Sequence, residues 1–262
     1  MGASITVVDA FTDHAFGGNP ASVCRLDAWP SDDWMQRVAA EMNHSETAFV
    51  VARTDGDYDL RWFTPTIEVA LCGHATLATA FVLGGTPRFH TKSGVLACAN
   101  EADGTVSLDL PADPVKFAPE PRNIRRILGT DEVYVAARSK SGFVLVELGS
   151  AAVVRELTPD MAGIASVDAP AVVVTASGDR DGIDCVSRFF GPRIGIPEDP
   201  VTGAAHCALA LYWSDRVGRT ELTGEQASKR GGIVGMSRRD DRVVLRGRAV
   251  TVLTGELRTP PA

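Results

Sequence analysis

Residues 61–80 read RWFTPTIEVALCGHATLATA: a short aromatic strand, a turn that contains Pro65, and an apolar helix that begins at Gly73. The helix is apolar on nearly every face, which predicts that it is buried as the central element of a domain. Its first backbone amides then have no intrahelical partner, and they carry the positive end of the helix dipole inside the protein. A helix start of this kind favours a bound anion.

The same pattern occurs again near the middle of the chain. RFFGP at residues 188–192 corresponds to RWFTP at residues 61–65, and the helix start GAA at residues 203–205 corresponds to GHA at residues 73–75. The two copies are separated by about half of the chain, which is too long for one repeat of a solenoid and indicates two copies of one domain. We therefore predict two buried helix starts, one from each half, that face one ligand across a cleft between the halves.

A proline-rich segment lies between the two copies. Residues 111–121 contain four prolines, a composition typical of a linker. We accordingly predict an N-terminal domain at residues 1–115 and a C-terminal domain at residues 116–262, each with strands around one apolar helix. In some topologies of this kind the last strand returns to the first domain. The predicted fold class is α/β (α+β).

Composition excludes several classes of function. The chain has 262 residues, 45% of them apolar, and a formal charge of −7 that argues against a nucleic-acid partner. No apolar run is long enough to span a bilayer and no signal peptide opens the chain, so we expect no membrane partner and a cytoplasmic location. The five cysteines are scattered without CxxC pairs, which favours reduced thiols over disulfides or a zinc site.

Cys72 directly precedes the first helix start, where the helix dipole lowers the pKa of a thiol. It is a candidate acid, base or nucleophile, and its alternative interpretation is a small buried apolar residue. The matching segment before the second helix, Pro200-Val201-Thr202, contains no thiol. A racemase with two opposed cysteines is therefore not expected.

Three further residues carry groups suited to proton transfer. His74 is the second residue of the first helix, where the dipole favours the neutral imidazole. Asp199 precedes the second helix start, and Glu46 precedes the apolar strand that begins at Thr47. From position alone Glu46 is either solvated or functional. Together with two anion-binding helix starts, the three groups indicate proton transfer next to a carboxylate.

Four motifs resemble the PhzF-like family of phenazine biosynthesis. They are FGGNPASV at 16–23, SETAFV at 45–50, CGHATLATA at 72–80 and EDPVTGAAHCALA at 198–210, in the order that the family has them. The resemblance implies the diaminopimelate epimerase-like fold, in which two similar domains each wrap a β-barrel-like sheet around a central helix. It also implies a homodimer with a site between the domains.

The resemblance assigns roles to individual residues. Glu46 matches the glutamate that shuttles the proton, and His74 and Asp199 match two further catalytic residues. One position departs from the family, because Ala204 stands where serine is common. The residues expected to bind substrate are Asn19, Ser45, Cys72, Gly73, Gly203 and Ala204.

We therefore predict an enzyme, an isomerase or epimerase that moves a proton on a small carboxylic acid with Glu46 as acid and base. Neither a metal nor another cofactor is expected, because the sequence contains no ligand cluster and no phosphate-binding glycine pattern. Two alternatives remain. One is a one-cysteine dehydratase or racemase that uses Cys72, and the other is a non-catalytic protein that binds a small acid.

Overall fold

The structure, a computed structural model, describes residues 3–259. Its backbone contacts divide the chain into two units, Met1–Asp109 with Arg246–Ala262 and Leu110–Leu245. The sequence places the boundary between residues 115 and 116 instead. One reason for the difference is that the proline-rich segment is not a bare linker, because Val115–Phe117 forms a strand that pairs antiparallel with Val133–Ser139.

The described residues form six α-helices, eighteen strands and one 3-10 turn. The helices are α1 (Asp32–Met42), α2 (Gly73–Leu83), α3 (Ile124–Leu128), α4 (Ala151–Glu156), α5 (Met161–Ser166) and α6 (Gly203–Val217), and the 3-10 turn is Pro192–Ile194. The strands are β1 (Ala3–Ala10), β2 (Asn19–Leu26), β3 (Glu46–Ala52), β4 (Tyr58–Phe63), β5 (Glu68–Val69), β6 (Arg88–Thr91), β7 (Gly94–Asn100), β8 (Val106–Pro111), β9 (Val115–Phe117), β10 (Val133–Ser139), β11 (Val144–Leu148), β12 (Val172–Ser177), β13 (Cys185–Gly191), β14 (Ile196–Asp199), β15 (Glu221–Gln226), β16 (Gly232–Arg239), β17 (Arg242–Gly247) and β18 (Ala249–Leu257).

Both units repeat one order of strand pairing. In the first unit β2 and β3 are parallel, β3 and β4 antiparallel, β4 and β6 parallel, and β6 and β7 antiparallel. In the second unit the same order holds for β11 and β12, β12 and β13, β13 and β15, and β15 and β16. The repeat seen in the sequence therefore corresponds to a repeat of topology. The last strand, β18, pairs antiparallel with β1 in the first unit.

The central helix of each unit begins at the predicted glycine. Helix α2 begins at Gly73, and its residues 74–80 are all buried against β1, β2, β3 and β7. Helix α6 begins at Gly203 and packs against β15 and β16. Gly84 ends α2 with a φ of 72°, a backbone angle that glycine adopts without strain. No helix in residues 3–259 is both long and apolar enough to cross a membrane.

Helix α1 closes the core of the first unit. Ser31 caps its start by accepting a hydrogen bond from the Trp34 amide, and Asn43 ends it in the left-handed conformation. Trp34 packs edge-on against Phe49 of β3 at 6.1 Å between ring centroids. The separate core of the second unit includes Phe190 of β13.

Some elements differ from the predictions. Helix α5 begins at Met161, where the Asp160 side chain caps it by accepting a hydrogen bond from the Gly163 amide. Strands β15 and β16 are not predicted. Their glycines and charged residues obscure the alternation that marks a half-buried strand.

The arginine that opens each repeated motif forms a two-point ion pair. Arg61 donates to both carboxylate oxygens of Glu68 at 2.8 and 2.9 Å, and Arg188 donates to those of Glu198 at 2.7 and 3.0 Å. The Arg61 side chain is 22% exposed and that of Arg188 is 11% exposed. Each pair therefore connects a strand of its unit to the segment that leads toward the central helix.

Glu68→Gln is expected to lower the free energy of unfolding at neutral pH by about 1 kcal/mol, because the ion pair is partly solvated. Hydrogen bonds from Arg61 lower the pKa of Glu68 from 4.5 to about 2, and Lys92 adds to this effect. A lowered pKa in the folded state stabilises the fold above pH 4.5, and this contribution is lost as the pH falls toward 2. Urea unfolding of both proteins at several pH values tests this. A difference that stayed constant on acidification would contradict it.

Candidate active site

The two central helices share a start without a side-chain cap, as does the short helix α3. Ser31, Ser150 and Asp160 each cap one of the other helices by accepting a hydrogen bond from its first turn. By contrast, neither Cys72 at the start of α2 nor Thr202 at the start of α6 makes a side-chain cap. The first turn of each central helix is therefore left to another acceptor, which fits the anion-binding role predicted from the sequence.

Glu46 and His74 come together in the first unit. Glu46 opens β3 and pairs in register with Ala21 of the parallel strand β2, while His74 is the second residue of α2. Oε2 of Glu46 lies 3.4 Å from Nε2 of His74. Glu46 is only 9% exposed, so its interpretation as a solvated residue is wrong. A carboxylate held this deeply next to an imidazole has the surroundings of a functional group.

The other nitrogen of His74 has different neighbours. Nδ1 lies 3.3 Å from Nδ2 of Asn19 and 3.5 Å from Sγ of Cys72, and Asn19 in turn accepts a hydrogen bond of 3.2 Å from the Ser45 hydroxyl. The structure thus brings together the side chains of the predicted site residues in the N-terminal motifs: Asn19, Ser45, Glu46, Cys72 and His74. Cys72 is buried, but it contacts the imidazole rather than apolar core alone.

His74 is neutral at physiological pH. Burial lowers its pKa to about 3, against a smaller opposing effect from a hydrogen bond with the Pro20 backbone. The sequence predicts the neutral form from the helix dipole, whereas the main cause is burial. Its Nε2 atom is buried and has no hydrogen-bond partner within residues 3–259, so the 3.4 Å approach of Glu46 lacks hydrogen-bond alignment.

The fold brings together a group of metal-ligand residues that the sequence does not show, while the expectation that no metal or cofactor is needed stays a prediction. The sequence shows no metal-ligand cluster because its three donor residues are spread over two separate motifs. In the fold, ligand atoms of Glu46, Cys72 and His74 all lie within 4.8 Å of one another. All five cysteines of the chain are thiols rather than disulfides, as predicted.

Asp199 lies at the end of β14 in the second unit and is 6% exposed. Its Oδ2 accepts a hydrogen bond of 2.5 Å from the Thr202 hydroxyl. Gln226 of β15 donates to the backbone oxygen of Asp199 at 2.8 Å and accepts from the Thr202 amide at 2.8 Å. The carboxylate and the start of α6 are therefore held as one piece. Sequence reasoning missed Gln226, because it belongs to a strand that the sequence does not predict.

Helix α6 carries the remaining predicted residues. Gly203 is buried and Ala204 is half-buried. One turn further on, His206 is fully buried, its Nδ1 atom is bonded to the Thr202 carbonyl at 2.8 Å, and burial lowers its pKa to about 4. The neutral imidazole of His206 therefore stabilises the start of α6 through its bond to the Thr202 carbonyl. That one ligand contacts Asp199, Gly203 and Ala204 together with residues of the first unit stays a prediction.

Comparison with known proteins identifies the family. The family described as phenazine biosynthesis-like protein (PhzC-PhzF) matches residues 8–255. The chain belongs to the PhzF-like family. A relative from Pseudomonas aeruginosa, named as an uncharacterized isomerase, is 46% identical to this PhzF-like protein over 98% of the chain and 99% of its own length.

Solved structures show the same fold. A PhzF family protein from Enterococcus faecalis is 39% identical, covers 99% of this chain and 100% of its own, and superposes with a TM-score of 0.93. A predicted epimerase from Pseudomonas aeruginosa is 19% identical over 98% of this chain and 99% of its own, with a TM-score of 0.77, and shares the fold alone. The two-domain epimerase-like fold predicted for this PhzF-like protein is thus confirmed.

Proposed function

We propose that this PhzF-like protein is a cofactor-independent isomerase or epimerase that moves a proton on a small carboxylic acid, with Glu46 as the acid and base. The observation that carries the proposal is the buried approach of the Glu46 carboxylate to the neutral His74 imidazole at 3.4 Å. The isomerase names of close relatives support the reaction class.

The surroundings of Glu46 suit a group that both accepts and returns a proton. His74 adds no positive charge beside Glu46, because burial keeps its imidazole neutral, so this imidazole does not hold the carboxylate in its charged form. Asn19 bridges His74 and Ser45, and this chain of contacts orients the imidazole. A carboxylate that is buried and fixed in direction loses little freedom when a substrate C–H group is placed against it.

The substrate carboxylate is assigned to the starts of the central helices. Neither Gly73 nor Gly203 has a positive φ, so neither glycine is required by backbone strain. A residue without a side chain there lets an anion approach the first amides closely. Asp199, fixed by Thr202 and Gln226, is the second candidate acid in this proposal. A homodimeric state and a cytoplasmic location remain predictions from the sequence.

Identification of the bound acid tests the proposal. The purified protein is mixed with a small-molecule extract and washed, and the retained acid is identified by mass spectrometry. The pure acid is then incubated with fresh protein. We expect conversion to an isomer of the same mass without added cofactor. Recovery of the unchanged acid alone would favour the alternative of a binding protein.

A specific contact sustains the second candidate function, a one-cysteine dehydratase or racemase. Sγ of Cys72 lies 3.5 Å from His74 Nδ1, close enough for the imidazole to take its proton. Under our proposal Cys72→Ala keeps turnover of the captured acid within about tenfold, because Glu46 moves the proton; general acid–base catalysis by Cys72 would instead cost about 100-fold or more. Cys98→Ala, in which another buried thiol is removed, is the matched control.

A further inference from the structure

The cluster formed by Glu46, Cys72 and His74 combines three kinds of donor. Carboxylate, thiolate and imidazole are the protein ligands that zinc prefers, and their ligand atoms here lie within 4.8 Å of one another. We propose that this cluster binds a divalent transition-metal ion of the Zn²⁺ type, and that the bound ion inhibits the enzyme by occupying Glu46. The inhibition rests on the proposed function, whereas the binding does not.

The geometry of the contact between Glu46 and His74 fits two ligands of one metal ion better than it fits a hydrogen bond. The His74 residue is only 4% exposed, and its Nε2 atom has no hydrogen-bond partner among the described residues. Oε2 of Glu46 approaches it to 3.4 Å without hydrogen-bond alignment. Two ligands bonded to zinc at about 2.1 Å lie about 3.4 Å apart in tetrahedral coordination, with the second ligand to one side of the lone-pair axis of the first.

Cys72 and Asn19 complete the arrangement. Sγ of Cys72 contacts Nδ1 of His74 at 3.5 Å, and ligand atoms of Cys72 and Glu46 lie within 4.8 Å of each other. Asn19 contacts Nδ1 at 3.3 Å and limits rotation of the imidazole. A metal-binding histidine usually donates its other ring N–H to a second group, and the Pro20 backbone supplies such a hydrogen bond to His74.

A second group of donors in residues 3–259 provides a contrast. Asp55, Asp57 and His90 also have ligand atoms within 4.8 Å of one another, but they lie near the surface. Arg53 binds both oxygens of Asp55, and the Asp57 carboxylate lies 3.7 Å from Arg88. Because these arginines already balance the carboxylates, and because no thiol is present, we assign the metal to the Glu46 cluster alone.

The test is a titration with Co²⁺, which replaces zinc and gives a thiolate-to-cobalt absorption band only when sulfur is bound. We expect this band in the wild type and its loss in Cys72→Ser. Calorimetry with Zn²⁺ is expected to show affinity weakened at least about tenfold by Cys72→Ser and by His74→Asn. His90→Asn and Cys98→Ala are matched controls, and both are expected to bind Zn²⁺ as the wild type does. Melting curves verify that each variant is folded.

The outcomes separate the two proposals. Absence of the cobalt band in the wild type, or unchanged zinc affinity in folded Cys72→Ser and His74→Asn, would overturn the metal site. Zn²⁺ is further expected to stop turnover of the captured acid, and a chelator to restore it, while Mg²⁺ has no effect. Metal binding without inhibition would overturn the regulatory half of the inference. Failure of the proposed function would appear separately. A Glu46 variant would then lose cobalt binding, as the metal site requires, but would still turn over the acid at the full rate.

Discussion

Glu46→Gln is expected to reduce turnover of the captured acid at least about 100-fold, the loss that removal of a general acid and base produces. Affinity for the acid is expected to stay within about tenfold, or about 1.4 kcal/mol. Glutamine keeps the size of the side chain and its 3.4 Å approach to His74, but it cannot carry a proton between carbon atoms. Turnover kinetics and calorimetry on the same preparation measure the two quantities.

Glu68→Gln supplies the matched control for this prediction. It makes the same chemical change in the same unit, at a carboxylate held by Arg61 rather than by the imidazole. It is expected to lose stability but to retain turnover. If Glu46→Gln turned over the acid as fast as the control, Glu46 would be a bystander, and Cys72 or Asp199 would become the first candidate.

Arg188→Met is expected to lower the free energy of unfolding by about 3 kcal/mol, because it removes one partner of a largely buried ion pair. Besides Glu198, the guanidinium binds the Leu157 carbonyl at 2.7 Å and reaches two further carbonyls at the end of α4. It also stacks on the Phe190 ring at 4.9 Å. Methionine fills the space but leaves these acceptors without a donor. Urea unfolding measures the change.

The control variant is Arg61→Met, because Arg61 occupies the equivalent position in the first copy of the repeated motif. Arg61 binds Glu68 and Asp32, is 22% exposed, and has no helix-end carbonyl among the hydrogen-bond partners described for its side chain. The expected loss is therefore about 1 kcal/mol. Equal losses in the two variants would show that burial and the α4 carbonyls add nothing to the Arg188 pair.

Arg188 also connects stability to the site. Glu198 directly precedes Asp199, and Asp199 pairs in register with Phe189 of β13. The ion pair therefore fixes the short strand that carries the candidate acid. We expect Arg188→Met to weaken turnover as well as folding.

Much of the fold follows from short-range signals. The starts of α2 at Gly73 and of α6 at Gly203 are predicted, because an apolar helix bounded by glycine and polar residues has few alternatives. The repeated motif predicts two units of one topology, since equal patterns favour equal strand pairing. Strand β15 escapes prediction because its sequence, ELTGEQ, alternates poorly and depends on pairing with β13 for its place.

The site is only partly predictable for a different reason. Glu46, His74 and Asp199 are recognisable from their motifs, but their partners are set by pairing between distant segments. Asn19 contacts His74 across 55 residues of sequence, and Gln226 reaches Thr202 across 24. Such contacts depend on strand register, which no local pattern specifies. The metal-ligand arrangement of the first unit is hidden from the sequence in the same way.

The most direct test of the central claim is exchange of solvent hydrogen. Wild-type protein, treated with a chelator and supplied with no cofactor, is incubated with the captured acid in D₂O, and the recovered acid is analysed by mass spectrometry and NMR. Our account predicts deuterium at a carbon-bound position of the recovered acid or its isomer, and none with Glu46→Gln. Isomerisation that needs an added cofactor, or deuterium incorporation equally fast in Glu46→Gln, would contradict it.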